Sequence, residues 1–275
     1  MSETKTVRSL LGTIVFDLDG VIYLGSSPIP GARSTIEILT RLGWTLLFAT
    51  NDSEKTPETV ASEFATRMDV AIDPSAIITS SMTTIWYLRE HGLTSAYVVG
   101  SPRLQATLVA HGVAAADGED LPRAVVVGLD RGITYEKIHR AARAIRSGAV
   151  FVATNTDATI PTSNGVAPGA GAIVAAIAEA SAQKPVTCGK PSEAMLDVIR
   201  DKIEGPRVWM IGDRPETDIA FAKAAGWTSV LTLSGVTRRP SEVPPHLKPD
   251  HVIASVADLP RLLLNNGERT SLDEG

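Results

Sequence analysis

Apolar and polar positions along this chain fall into a repeating rhythm, in which short apolar runs alternate with longer segments of helical spacing. Leu10, Leu11, Ile14, Val15 and Phe16 make the first run. A run of this kind predicts a strand buried on both faces, as in a parallel sheet. Residues 31–42 follow with Ile36, Leu39 and Leu42 spaced for one helix face, and Gly43 closes the helix. Residues 44–49 predict a second strand, and residues 57–68 a helix with proline at an early position. Ile77 and Ile78 make a short strand that leads into a polar helix start at Ser80 and Ser81. From Thr83 the rhythm restarts. Helices ending at His91 and spanning 103–111 and 135–146 alternate with strands at 96–99, 124–127 and 150–153. Residues 154–171 are rich in Gly, Pro, Asn and Thr and read as one long irregular segment, of the kind that is either functional or disordered. An Ala-rich helix over 170–182 is followed by a helix carrying Met195, Leu196, Val198 and Ile199 on its apolar side. Strands at 208–211, 229–233 and 252–253 complete the pattern, with a helix over 215–225 between the first two.

Regular alternation of short strands and helices places the chain in the α/β class, with a Rossmann-like parallel sheet. The restart near Thr83 predicts an insertion. Residues 1–82 and 183–264 would form a discontinuous core domain, residues 83–182 an inserted α/β domain, and residues 265–275 a polar, disordered tail.

Composition narrows the class of function. At 275 residues and 44% apolar content, the chain can bury an ordinary globular core. A formal net charge of −5 leaves no basic footprint for nucleic acid. It does not exclude a phosphate substrate, because a bound metal and one lysine can dominate a local field. The single cysteine, Cys188, excludes an internal disulfide and fits a reducing cytoplasm. The first residues lack the apolar core of a signal peptide, and no apolar run is long enough to span a bilayer.

Chemistry concentrates where the predicted strands end. Asp17 and Asp19 follow the first strand, then Gly20. Strand side chains alternate faces, so residues two apart start on the same side. Two carboxylates held close repel unless a cation or a shared proton intervenes. A Mg²⁺ site with one Asp free to act as nucleophile meets that demand, and so does a plain Asp-Leu-Asp-Gly surface turn. On these residues alone the two readings stand level. Thr50 and Asn51 follow another strand, Asp213 follows a third after Gly212, and Lys190 sits between Gly189 and Pro191. Parallel βα units put all strand ends on one edge, so these groups are expected to converge if the insertion reading holds. Taken singly, Thr50 and Asn51 suit a turn, Lys190 suits a solvated loop, and Asp218 suits the first turn of a helix. Four clusters in this order are harder to obtain by chance.

As a set, DLDGV, TN, GKP and GDRPETD resemble the four motifs of the haloacid-dehalogenase superfamily of phosphatases. The resemblance covers nearly the whole chain up to Leu264. Residues Ala153, Thr154, Asn155, Asp157, Pro168, Gly169 and Gly171 are similar to the ATNxD…PGxG signature of its nitrophenylphosphatase-like group, which has a large α/β cap. That group includes phosphoglycolate, glycerol-phosphate and pyridoxal-phosphate phosphatases. The resemblance implies Asp17 as nucleophile and Asp19 as general acid/base, with Mg²⁺ as cofactor. Asp17, the backbone carbonyl of Asp19 and Asp213 would hold the metal, with Asp218 in support. Thr50, Asn51 and Lys190 would bind the phosphoryl group. Asp52 departs from the Asn often found there, which affects inherited substrate preference. The partner implied is a small phosphorylated metabolite, with no nucleic acid or membrane, and a homodimer through the cap occurs among relatives.

Two other readings compete. A phosphomutase or phosphotransferase would share the aspartyl-phosphate step, and a receiver-like signalling module would share the acids, Thr and Lys but has no use for Asp19 or a cap. For selectivity, Asp52 and Glu54 place negative charge after the second motif, only partly offset by Lys55, which disfavours a second anionic group. Asn155, Asp157 and Ile160 are the cap candidates, in a stretch running to Asn164 that has hydrogen-bonding groups but no aromatic residue. A hydroxylated substrate such as glycerol phosphate is expected ahead of phosphoglycolate, and both ahead of pyridoxal phosphate.

Overall fold

The computed structural model describes residues 11–116, 121–162 and 165–266. The chain divides into two compact units. Residues up to Ala49, Thr66–Val70 and those from Asp201 onward make the first, and Thr50–Ala65 with Ala71–Arg200 make the second. The chain opens with β1 (Thr13–Phe16), the short hairpin of β2 (Tyr23–Leu24) and β3 (Ser27–Pro28), α1 (Ala32–Leu42) and β4 (Thr45–Thr50). It continues through α2 (Pro57–Met68), β5 (Ile77–Thr79), α3 (Ser80–Glu90), β6 (Ser95–Val99), α4 (Pro102–Ala110), β7 (Ala114–Ala115) and β8 (Ala124–Val127). Then come α5 (Tyr135–Arg146), β9 (Val150–Ala153), β10 (Thr159–Thr162), β11 (Gly165–Pro168), α6 (Ala170–Ser181), β12 (Val186–Thr187) and α7 (Glu193–Arg200). The last part holds β13 (Val208–Gly212), a π-helical turn (Pro215–Ile219), α8 (Ala220–Ala225), β14 (Thr228–Thr232), β15 (His251–Ile253) and α9 (Leu259–Asn265).

In the first unit five parallel strands follow in the order β15-β14-β13-β1-β4. β1 is fully buried, which is why Ile14, Val15 and Phe16 read as an apolar run, while the hydroxyl of Thr13 at its start donates to the Glu204 carbonyl at 2.8 Å. Its last residue, Phe16, lies opposite Phe48 of β4, and the two rings stack at 5.6 Å. α1 buries Ala32, Ile36 and Leu39, and Gly43 ends it in the left-handed region at φ 92°. Successive strands run one way from β1 to β4 and the other way from β13 to β15. The order therefore reverses between β1 and β13, the place where open α/β sheets form a ligand crevice.

The second unit has its own parallel sheet, in the order β12-β9-β8-β6-β7. Alternate residues of β8 serve its two faces. Val125 and Val127 pack with Ala141 and Ile145 of α5 and with Ile173 and Ile177 of α6. Ala124 and Val126 pack with Ile85 and Leu88 of α3, Leu104 and Leu108 of α4, and Cys188. Each of the buried valine, leucine and isoleucine side chains among these contributes roughly 1.5–3 kcal/mol. The whole is the α/β class with a parallel-sheet core that the pattern of apolar runs predicts.

Three expectations need correction. Residues 154–171 are not irregular throughout, because β10 and β11 pair antiparallel, Thr159 with Pro168 and Ile160 with Ala167. Prolines at 161 and 168 hide that hairpin from a pattern reading, yet a two-stranded ribbon tolerates them at its edges. The helix expected over 215–225 is interrupted, because Pro215–Ile219 forms the wide turn that seats Asp218. α9, which buries Leu259 and Leu263, has no counterpart in the sequence reading. Of the expected tail, Asn265 ends α9, and residues 267–275 lie outside the described residues, as do Leu10 and Asn164. Among the described residues no helix is long and apolar enough to cross a membrane.

Candidate active site

In the first unit, β1 and β13 are parallel neighbours that end at Phe16 and Gly212, so Asp17 and Asp213 leave the same edge of the sheet. The Asp17 N–H donates to the Ile211 carbonyl at 2.8 Å, which carries the ladder one residue past the strand. Carboxylate oxygens of Asp17, Asp213 and Asp218 lie within 4.8 Å of one another. Asp17 is 8% exposed, and Asp213 and Asp218 are each 1% exposed.

Local structure holds these acids in place. Asp218 Oδ2 accepts the N–H groups of Asp213 and Arg214, both at 3.1 Å, so its carboxylate closes the turn after β13. A Cβ on Gly212 would overlap the Asp218 side chain, which explains glycine at that strand end. Asp213 Oδ2 accepts the Val236 N–H at 2.5 Å. Gly20, at φ 87°, and Gly235 press their backbones against the same carboxylate, where a Cβ on either would overlap it. The Ser234 hydroxyl donates to the Gly20 carbonyl at 2.7 Å and ties these two segments together.

Three buried carboxylates this close cannot all stay ionised without a counter-charge. Their donor set is all oxygen, the chemistry of a hard divalent cation. The cluster therefore fits a divalent metal. Asp19 is exposed and is not one of the three.

In the second unit, Asn51 is the centre of a hydrogen-bond network. Its Oδ1 accepts the Lys190 N–H at 2.7 Å, and its Nδ2 donates to the Lys190 carbonyl and to Asp157 Oδ1, both at 3.1 Å. The Asn51 carbonyl accepts the Ser80 hydroxyl at 2.7 Å and Asn155 Nδ2 at 2.8 Å. Gly189 lets the Lys190 loop approach, since a Cβ there would stand 2.6 Å from Asn51 Oδ1 and 2.7 Å from the Thr154 carbonyl. Lys190 itself is only 2% exposed. Thr50 is buried, and its hydroxyl accepts the Asp52 N–H at 3.1 Å. A buried ammonium and a buried hydroxyl can each hold an oxygen of a phosphoryl group. Burial also pushes the nearby Cys188 thiol up to about 12, against a weaker effect of Thr84, so this cysteine is no nucleophile.

Asp157, expected as a selectivity residue, is held by Asn51, and Asn155 Oδ1 accepts its N–H at 3.1 Å. Ile160 is half-buried on β10. The charges after the second motif have local partners, although Lys55 is shared, its Nζ lying 3.0 Å from Glu63 Oε2. Asp52 Oδ1 accepts the Glu54 N–H, Asp52 Oδ2 lies 3.7 Å from Lys55 Nζ, and Glu54 accepts Arg131 Nη1 at 2.8 Å. The sequence reading missed Arg131, the Ser80 hydroxyl and the Val236 amide. Ser80 had a signal as a polar helix start, whereas the other two act across long separations that no local pattern reports.

Residues 14–114 match the family model described as haloacid dehalogenase-like hydrolase, and residues 187–259 match one described as HAD-hydrolase-like. An acid sugar phosphatase of Staphylococcus haemolyticus is 35% identical over 226 residues, covering 81% of this chain and 85% of its own. Phosphoglycolate phosphatase 2 of Arabidopsis thaliana is 31% identical and covers 95% of this chain and 96% of its own. The crystal structure of a glycerol phosphate phosphatase of Mycobacterium tuberculosis in complex with magnesium matches with a TM-score of 0.79 at 30% identity, covering 90% of this chain and 76% of that one. The same protein has been solved with calcium.

Proposed function

The chain belongs to the haloacid dehalogenase-like hydrolase family, as one of its phosphoric monoester hydrolases, and on that premise we propose that it hydrolyses a small phosphomonoester with Mg²⁺ through an aspartyl-phosphate on Asp17. The observation that carries this reading is the buried cluster of Asp17, Asp213 and Asp218 at the point where the strand order reverses.

A carboxylate oxygen of Asp17 attacks phosphorus, and the bond from phosphorus to the ester oxygen breaks. Asp19, exposed and two residues on, gives its proton to the leaving alcohol. Asp19 then takes a proton from water, whose oxygen attacks the same phosphorus, and inorganic phosphate leaves with Asp17 restored. Asp17, Asp213 and the Asp19 carbonyl, with Asp218 in support, would hold Mg²⁺, which would supply charge neutralisation at the phosphoryl oxygens. Thr50 and Lys190 stabilise the same oxygens from the second motif and third motif. Asn51 acts as a positioning residue, because both ends of its amide are committed to the Lys190 backbone and Asp157.

The relatives bear three different substrate names, so kinship leaves the substrate open within small phosphomonoesters. Arg131 pairs with Glu54, whereas Lys55 is shared between Asp52 and Glu63, so the charge argument against a second anionic group is weakened at Glu54 alone. Glycerol phosphate and phosphoglycolate therefore stand together as proposed substrates, with Asn155, Asp157 and Ile160 as selectivity residues.

The test is phosphate release by the Asp17→Asn variant, with circular dichroism to show that the fold persists. Activity is expected to be abolished. In the wild type it should vanish with a chelator and return with Mg²⁺ but not Zn²⁺. Substantial metal-dependent turnover by Asp17→Asn would refute the assignment.

A further inference from the structure

α5 carries four cations, and three have intramolecular partners. Lys137 Nζ donates to Asp130 at 2.6 Å and to the Gly132 carbonyl at 3.0 Å. Arg140 lies 4.3 Å over the Tyr97 ring and donates to the Ala116 carbonyl at 2.9 Å. Arg146 donates to the Ala180 carbonyl near the end of α6. The fourth, Arg143, is exposed, and its guanidinium makes no hydrogen bond or ion pair with another described residue.

Arg143 faces an open groove of about 360 Å³ between α5 and the end of α6. Tyr135, His139, Arg143 and Arg146 line it, at the i, i+4, i+8 and i+11 positions of one helix face, with Ala142 and Ala180 as its apolar floor. Tyr135 is 83% exposed. Its ring and that of His139 are nearly parallel, 7° apart in tilt, with centroids 6.4 Å apart. Glu136 and Glu179, the acids of α5 and α6, do not line the groove. Helical side chains lean toward the N-terminus, so Arg143 leans toward the rings, while Arg146 is tied to the Ala180 carbonyl at the groove and keeps further N–H groups to donate. An exposed tyrosine ring parallel to a histidine ring and next to an arginine pair, with no carboxylate among the described lining residues, matches an aromatic ring that carries an anion. The volume suits a ligand of nucleotide size.

We propose that this groove binds such a ligand, with its ring on Tyr135 and His139 and its phosphate on Arg143 and Arg146. The site shares no residue with the acid cluster or the Asn51 network, and the inference does not depend on the proposed reaction.

The test is isothermal titration of the full chain with adenosine 3′,5′-cyclic monophosphate, a phosphodiester that a phosphomonoester hydrolase leaves intact. Saturable binding is expected, weakening as salt is raised. Tyr135→Ala and Arg143→Gln should each weaken it by about tenfold, the scale of one stacking or charge-assisted contact. Arg143→Lys should fall between Arg143→Gln and the wild type, because it keeps the charge but loses the planar fork. Sedimentation of the same proteins reads the alternative. If Tyr135→Ala dissociates an oligomer and the wild type binds no nucleotide, the groove is covered by a second copy of the chain and the proposal is overturned. Absence of binding at millimolar concentration, or binding that neither variant weakens, also overturns it.

Discussion

Replacing Asn51 by aspartate changes one NH₂ into an oxygen at the centre of the second unit's network. Asn51 Nδ2 stands 3.1 Å from Asp157 Oδ1 and 3.1 Å from the Lys190 carbonyl, so the new oxygen would face two acceptors. If the new carboxyl ionises, repulsion from Asp157 at that distance costs about 5 kcal/mol at an effective dielectric constant of 20. If it takes up a proton instead, its O–H can donate to Asp157, and the cost is that of protonating a group with an ordinary pKa near 3.9. At pH 7 that is about 4 kcal/mol. The cheaper route sets the outcome, so Asn51→Asp is expected to lose about 4 kcal/mol at pH 7. The sign of the pH dependence follows. The new carboxyl has a folded-state pKa above its unfolded value, so the unfolded chain gives up the proton first and stability falls as pH rises. The deficit should shrink by about 1.4 kcal/mol per pH unit on acidification, to roughly 1.5 kcal/mol at pH 5. Urea unfolding of wild type and variant side by side at pH 5, 6 and 7 measures it. A deficit under about 1 kcal/mol at pH 7, or one equal at pH 5 and pH 7, would refute the assignment of Asn51 Nδ2 to Asp157.

Two further outcomes follow from the buried groups. With its thiol pushed up to about 12, Cys188 should resist Ellman's reagent at pH 8 in the native protein and react at once in denaturant; rapid labelling of the folded chain would contradict its burial. In Asp250, burial raises the carboxyl pKa, but the Ser229 hydroxyl and N–H, at 2.6 and 2.8 Å, with Lys223 and His251, bring it below the usual value. That stabilisation is present above the unfolded pKa near 3.9 and is lost as pH falls through the lower folded value. Ser229→Ala should therefore cost about 1–2 kcal/mol at pH 7 and less in strong acid, and an equal cost at both would show that Asp250 is not the partner that matters.

The sequence by itself determined the elements and the edge where chemistry sits. Strands buried on both faces, such as β1 and β8, are apolar at nearly every position, so their carboxyl ends are visible where polar residues begin, and that is where Asp17, Thr50, Asn51 and Asp213 stand. Helices such as α1 and α5 have one buried face, so their spacing shows in the same way. Tertiary structure decided what local pattern cannot encode. Prolines masked the β10–β11 hairpin, because only the pairing partner satisfies its backbone. Asp218 looks like any acid in a first turn until Gly212, six residues earlier, leaves room for its side chain beneath the strand end. Glu54 is paired with Arg131, 77 residues away, and Asp213 is oriented by the Val236 amide, because electrostatics and hydrogen bonds act through space while a sequence pattern reports only neighbours along the chain.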